Sequence, residues 1–139
     1  MRRYGQGYYQ GIYSRNCLPL EKLSTLPAAF VINTDKSDGP GQHWVASYVD
    51  YHGQVEYFDP YGLPPTLPEI RKFLRTNSRS WTHNDVMLQG INTITCGHHC
   101  LFYLYHRTRG YTLCDIQTML QNSLYDMDEI VVQFVDSKM

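Results

Sequence analysis

The junction at residues 89–105 restricts the fold more than any other stretch. A polar, glycine-containing segment, Gln89-Gly90-Ile91-Asn92-Thr93-Ile94-Thr95, runs into Cys96-Gly97, and Leu101-Phe102-Tyr103-Leu104-Tyr105 follows with the length and character of a buried helix. So apolar a helix has to be covered, and Cys96 stands at its start. Unpaired N–H groups and the positive dipole end at such a position stabilise a thiolate and an oxyanion alike. A cysteine there is nevertheless more often core filling than a nucleophile, because free cysteines are among the most buried residues. Chemistry at Cys96 needs a base.

Gln42-His43-Trp44 supplies the candidate. His43-Trp44-Val45-Ala46-Ser47-Tyr48-Val49-Asp50 and Gln54-Val55-Glu56-Tyr57-Phe58-Asp59 both read as strands, and His52-Gly53 between them is a hairpin signal. A turn of two or three residues sets Asp59 opposite Val45 or Ala46, so His43 and Asp59 fall at one end of adjacent strands, a few positions apart. Pro60-Tyr61-Gly62 then stops the strand and leaves the Asp59 carboxylate at a rim. A thiol of ordinary pKa is mostly protonated at neutral pH, so an imidazole partner is what activates it, with a carboxylate to fix the imidazole tautomer. Gln89 is placed to donate its side-chain amide to an oxyanion, beside the backbone N–H of Cys96.

The remaining chain reads as follows. Met1 to Gln10 lacks periodicity and is expected to be a flexible N-terminal arm; residues 11–139 are expected to form a single domain, since 139 residues suffice for one core. A short helix is expected at Leu20-Glu21-Lys22-Leu23 after Leu18-Pro19, and a buried strand at Ala28 to Asn33. Asp35 to Gly41 reads as a loop, and Pro68 to Asn77 as an amphipathic helix with Arg71, Lys72 and Arg75 on a solvated face. A strand-like stretch runs from Trp81 to Gln89. Helices are expected from Cys96 to about Arg109, stopped by Gly110, then from Leu113 to Asn122 and from Asp126 to Val135. The order implies an α+β fold whose mixed or antiparallel sheet packs against the helix carrying Cys96.

Net charge is −1, giving no basic surplus for nucleic acid, and no run approaches the length of a membrane span. Met1-Arg2-Arg3 is followed by Tyr and Gly where a secretory signal would be apolar, so a soluble, unsecreted protein with free thiols is expected. Cys96, His98, His99 and Cys100 invite a zinc reading. One Cys-x3-Cys segment supplies at most half a site, however, and no second pair stands at ligand spacing, so neither metal nor cofactor is expected.

The motifs Gly41-Gln42-His43-Trp44, Phe58-Asp59-Pro60-Tyr61-Gly62 and Gln89-Gly90-x-Asn92-x3-Cys96-Gly97-x2-Cys100, in that order, resemble the adenovirus protease (adenain) family and its relatives in Polinton/Maverick elements, adintoviruses and adomaviruses. The resemblance covers about Gly11 to Arg107 and implies an adenain-like, papain-like cysteine protease fold. It also implies a triad of Cys96 as nucleophile, His43 as base and Asp59 as acid, with Gln89 as oxyanion donor. By the same resemblance the substrates are polypeptides, viral structural precursors cut at small, Gly-containing sites, and the location is the host nucleus or the virion. Ile91 stands where adenovirus enzymes have Pro, and Asp59 where they have Glu. No cysteine lies between Asp59 and Gln89, so the disulfide-linked activating peptide of those enzymes is not carried over; nor is their DNA cofactor. A protease for ubiquitin-like modifiers has the same order of residues. Six residues separate Gln89 from Cys96 here, as in the adenovirus type, whereas the modifier proteases usually have one fewer. A reading of a different class is an inactive, capsid-associated binding module.

Overall fold

The computed structural model describes residues 9–35, 43–88, 95–121 and 127–138. Five strands make one mixed sheet in sequence order: β1 (Tyr9–Ser14), β2 (Ala28–Asn33), β3 (Trp44–Val49), β4 (Val55–Phe58) and β5 (Trp81–His83). The inner pairs are antiparallel, while β1 and β5 run parallel to their neighbours. The helices are α1 (Pro68–Asn77), α2 (Cys96–Arg107), α3 (Leu113–Gln121) and α4 (Met127–Lys138), with a 3-10 turn at Arg15–Cys17.

Alternation along the strands explains how both faces are covered. Ala29, Val31, Ala46, Tyr48 and Phe58 point to a core completed by Tyr103 and Leu104 of α2, Ile116 of α3 and Val131 of α4. Their neighbours Phe30, Ile32, Val45 and Tyr57 point the other way, onto Ile70, Phe73 and Leu74 of α1. Each fully buried large aliphatic or aromatic side chain contributes about 1.5–3 kcal/mol. Phe58 stacks face to face on Tyr103, ring centroids 4.3 Å apart, which seats α2 across β4. At the far end of α2, Glu56 of β4 accepts from Tyr103 Oη at 2.5 Å and Arg107 Nε at 2.9 Å, so the helix axis is fixed at two points.

The hairpin has the expected register. Val49 pairs with Val55 and Ala46 with Phe58, so the next position, Asp59, falls opposite Val45, two residues from His43. Asp50 closes the turn by accepting from the N–H groups of His52 and Gln54, both at 2.9 Å. Gly53 takes φ +79°, which a side chain would resist.

Four expectations are corrected. Tyr9 and Gln10 belong to β1 and not to an arm: Tyr9 pairs with Ala29 and is buried, because a sixth residue of strand gives its ring a place in the core. Leu20 to Leu23 is not helical. Pro19 and Pro27 bracket a short run of bends, and the Leu23 N–H is taken by the Asn77 side chain at the end of α1, at 2.9 Å. The strand from Trp81 stops at His83, because Asn84 turns its side chain to Asp59 and Leu88 donates to the Pro60 carbonyl at 2.8 Å, taking the backbone out of the ladder. Arg71 also leaves the solvated face, donating to the Pro65 carbonyl at 3.1 Å. The loop expected at Asp35 to Gly41 lies outside the described residues from position 36, as do Asn122 and Asp126. Among the described residues, no helix is long and apolar enough to cross a membrane.

Candidate active site

Three chain ends meet at one corner of the sheet. His43 immediately precedes β3, Asp59 immediately follows β4, and Cys96 is the first residue of α2. Thr34 anchors the His43 backbone, its N–H and Oγ1 both donating to the His43 carbonyl at 2.9 and 3.2 Å. The His43 Nε2 lies 3.0 Å from Asp59 Oδ1, and the same oxygen accepts the Tyr61 N–H at 2.8 Å. Asn84, almost wholly buried, holds the Asp59 backbone from both sides: its Oδ1 accepts the Asp59 N–H at 2.9 Å, and its Nδ2 donates to the Asp59 carbonyl at 2.6 Å. The Tyr61 ring stacks on His43 with centroids 5.0 Å apart. Gly62, at φ +75°, brings the chain against the backbone of Val86, where a Cβ would come within 2.7 Å.

With Nε2 engaged by Asp59, Nδ1 is the ring nitrogen left for the neighbouring Cys96 thiol. Burial pushes the Cys96 thiol up. The His43 hydrogen bond, the Trp44 N–H, the charge on His43 and the Gly97 N–H together outweigh burial and hold the thiol below its ordinary value. Burial likewise pushes His43 down, but Asp59 and Cys96 carry it to about 9. The two shifts run in opposite directions because each partner favours the charged form of the other. One turn along the same helix, Cys100 is fully buried and pushed well above the ordinary range, first by burial and then by the charges of Cys96 and Asp59, so it is an inert thiol.

Cys96 is only 7% exposed, while the His43 side chain is 22% exposed. Cavities flank the group on two sides. One of about 310 Å³ is lined by Ile12, Val31, Trp44, Gly97, Leu101 and Val135. Another, of about 280 Å³, is lined by His43, Tyr57, Asp59, Leu63, Leu67 and Ile70 among others. In the His98/His99 segment, His99 Nε2 lies 2.6 Å from Asp128 Oδ1 and His98 Nε2 lies 3.9 Å from Asp136 Oδ1.

Of the residues singled out in the sequence, His43, Asp59 and Cys96 come together, and Gln89 lies outside the described residues. The Trp44 and Gly97 amides, the Tyr61 ring and the Asn84 clamp were missed. Trp44 and Gly97 adjoin a triad candidate in the chain and Tyr61 lies two residues after one, so nearness in sequence was the available signal. Asn84 is 25 residues from Asp59 and carried none.

A thiol at a helix start, facing a histidine and a carboxylate from one hairpin of a mixed sheet, belongs to the cysteine protease fold. Comparison with known proteins agrees. The chain is 38% identical over 85 residues to the cysteine protease S273R of African swine fever virus, a match covering 53% of this chain and 31% of that protein. The counterpart from another isolate, named a SUMO-1 cysteine protease, is 36% identical over the same length and coverage. The crystal structure of the pS273R protease of that virus superposes with a TM-score of 0.51 at 27% identity, covering 75% of this chain and 42% of that one. No protein-family model matches. The chain thus spans about a third of the length of the curated relatives it matches. It is a homologue of a viral cysteine protease, and these relatives come from a virus other than an adenovirus.

Proposed function

We propose that this chain is a cysteine endopeptidase domain, residues 11–139 together with the start of β1, in which Cys96 is the nucleophile, His43 the base and Asp59 the orienting acid. One observation carries the reading: the His43 ring bonds Asp59 at 3.0 Å and lies beside the Cys96 thiol, which His43 and the Trp44 and Gly97 N–H groups hold below its ordinary value. The imidazolium and those amides keep the sulfur as thiolate, which adds to a substrate peptide carbonyl. His43 then delivers its proton to the departing amine, and water releases the acyl group. The Cys96 N–H and the Gln89 side chain are the proposed donors to the oxyanion. Asp59 keeps the ring in the required tautomer throughout.

The substrate reading favoured is a polypeptide of the ubiquitin-like modifier class. It is supported by the name SUMO-1 cysteine protease borne by relatives at 36% identity. The second reading is cleavage of virion precursor proteins in the host nucleus or the virion, in the manner of adenain. The six-residue interval between Gln89 and Cys96 supports it.

Labelling with a thiol-directed electrophile tests the site. Label is expected on Cys96, lost in Cys96→Ala and retained in Cys100→Ala. Label on Cys17, Cys100 or Cys114 instead would refute the assignment, and no labelling at all would favour the inactive binding module. Incubation with a modifier precursor and with Gly-containing precursor peptides then separates the two substrate readings.

A further inference from the structure

Asp59 stands where the sheet stops holding the chain. The last ladder positions before it are Phe58, paired with Ala46 of β3, and Tyr57, paired with His83 of β5, so neither neighbouring strand takes the Asp59 backbone. A strand end of this kind ordinarily leaves its N–H and C=O to water and moves accordingly. Asp59 is buried, and its partners come instead from the side-chain amide of Asn84, 1% exposed and one residue past β5. Asn84 Oδ1 accepts the Asp59 N–H at 2.9 Å, and Nδ2 donates to the Asp59 carbonyl at 2.6 Å. A primary amide carries a donor and an acceptor side by side, as a peptide group does. Nδ2 also reaches the Val86 carbonyl at 3.3 Å, so both its neighbours are acceptors and the way round of the amide is fixed. His83 Nδ1 lies 2.7 Å from the Asn84 carbonyl, and the Leu88 N–H donates to the Pro60 carbonyl at 2.8 Å. Residues 84–88 and the corner at 59–62 are thus sewn together around Asn84.

We propose that Asn84 is a positioning residue of this site: it stands in for a strand partner and fixes the Asp59 backbone, so that the carboxylate meets the His43 ring at 3.0 Å. The inference rests on Cys96, His43 and Asp59 acting as the triad proposed above. Its effect passes through Asp59. A carboxylate free to swing favours the imidazolium less, and a His43 that is less often charged favours the Cys96 thiolate less. The other titratable groups around these residues are Tyr57 on β4, Tyr61 after it, His83 on β5, Cys100 on α2 and Asp128 on α4. None of these is altered by the test.

The test compares the rate of Cys96 alkylation by iodoacetamide at about pH 6.5 with the rate at about pH 10, where the thiol is ionised whatever its partner. The full chain is used, with mass spectrometry separating Cys96 from the exposed Cys17 and Cys114. Asn84→Ala is expected to lower the ratio of the two rates by about threefold to tenfold, up to one pH unit of thiol ionisation. In peptidase assays kcat falls by a similar factor and KM holds. Asp59→Ala lowers the ratio further, and adding Asn84→Ala to it is expected to change the ratio no more, because the carboxylate to be positioned is gone. A residue that only held the fold would lower the melting temperature in both backgrounds and leave the ratio alone. Asn84→Ser keeps one of the two bonds, and gives a smaller drop in the same direction if the alanine variant does not fold. An unchanged ratio in the folded variant, or an equal further drop on top of Asp59→Ala, overturns the proposal while leaving the nucleophile in place. A parent chain whose Cys96 reacts at about pH 6.5 no faster than the exposed Cys17 overturns both.

Discussion

His43 and Asp59 meet at 3.0 Å at the open end of the hairpin, and His99 and Asp128 meet at 2.6 Å between α2 and α4. The same two side-chain types are in contact in both places, yet the surroundings differ. The His43 side chain is 22% exposed, borders a cavity and faces a sulfur; the His99 side chain is 1% exposed and its carboxylate is shared with Thr95. A buried pair held by two elements gains rigidity and loses access to anything outside. A pair at a strand rim keeps one ring nitrogen available for chemistry. Position on the fold, more than residue type, separates a candidate base from a brace.

The comparison breaks most clearly at His43. Replacing it with Ala is expected to lower peptidase kcat by about 10³-fold, the middle of the range for a general base, and to lower the melting temperature at neutral pH as well, because Asp59 is left buried without its partner. The variant should also lose a pH dependence. His43 has a folded pKa of about 9, above its unfolded 6.5, so the stability it contributes is fully present below pH 6.5 and is lost as pH rises through about 9. Urea melts across that window should slope downward for the parent chain and flatten in His43→Ala. A slope that survives the substitution would put the proton elsewhere.

His99→Ala is expected to act the other way round, costing about 3 kcal/mol of stability because it leaves Asp128 largely buried beside a cavity. Denaturant midpoints check this, and the protein still folded should retain a labelled Cys96. If activity vanished while the midpoint held, the two pairs would not be as different in role as their burial implies. The smallest effect is expected from Tyr61→Leu, which removes the ring stacked on His43 but keeps the backbone N–H on Asp59. A stacked pair is worth about 0.5–1.5 kcal/mol, so steady-state kinetics should show a several-fold loss. A loss as large as that of His43→Ala would make Tyr61 a participant in the reaction.

Much of the scaffold could be read before any coordinates. Alternating Val, Ala and Tyr residues around His52-Gly53 defined both strands of the hairpin and their register. The Pro68 start marked α1, and the apolar run after Cys96, stopped by Gly110, marked α2. The failures share a cause. The short helix at Leu20 to Leu23 and the long strand after Trp81 satisfied local patterns, but their backbone groups were claimed by distant partners, Asn77 in one case and Asp59 with Pro60 in the other. Tyr9 and Gln10 look shapeless in isolation and become strand only because β2 offers a free edge.

The sequence by itself determined the α+β plan, the hairpin that carries His43 and Asp59 to one rim, and the helix start at Cys96, since each follows from periodicity and turn chemistry within a few residues. Tertiary structure alone decided that the three groups converge, that Trp44 comes beside the Cys96 thiol, that Asn84 clamps Asp59, and that Asp128 bonds Thr95 and His99 at the head of α2. Those contacts join residues up to 53 positions apart, as from His43 to Cys96. No local pattern encodes such a meeting, because it depends on how two sheet faces and four helices share one core.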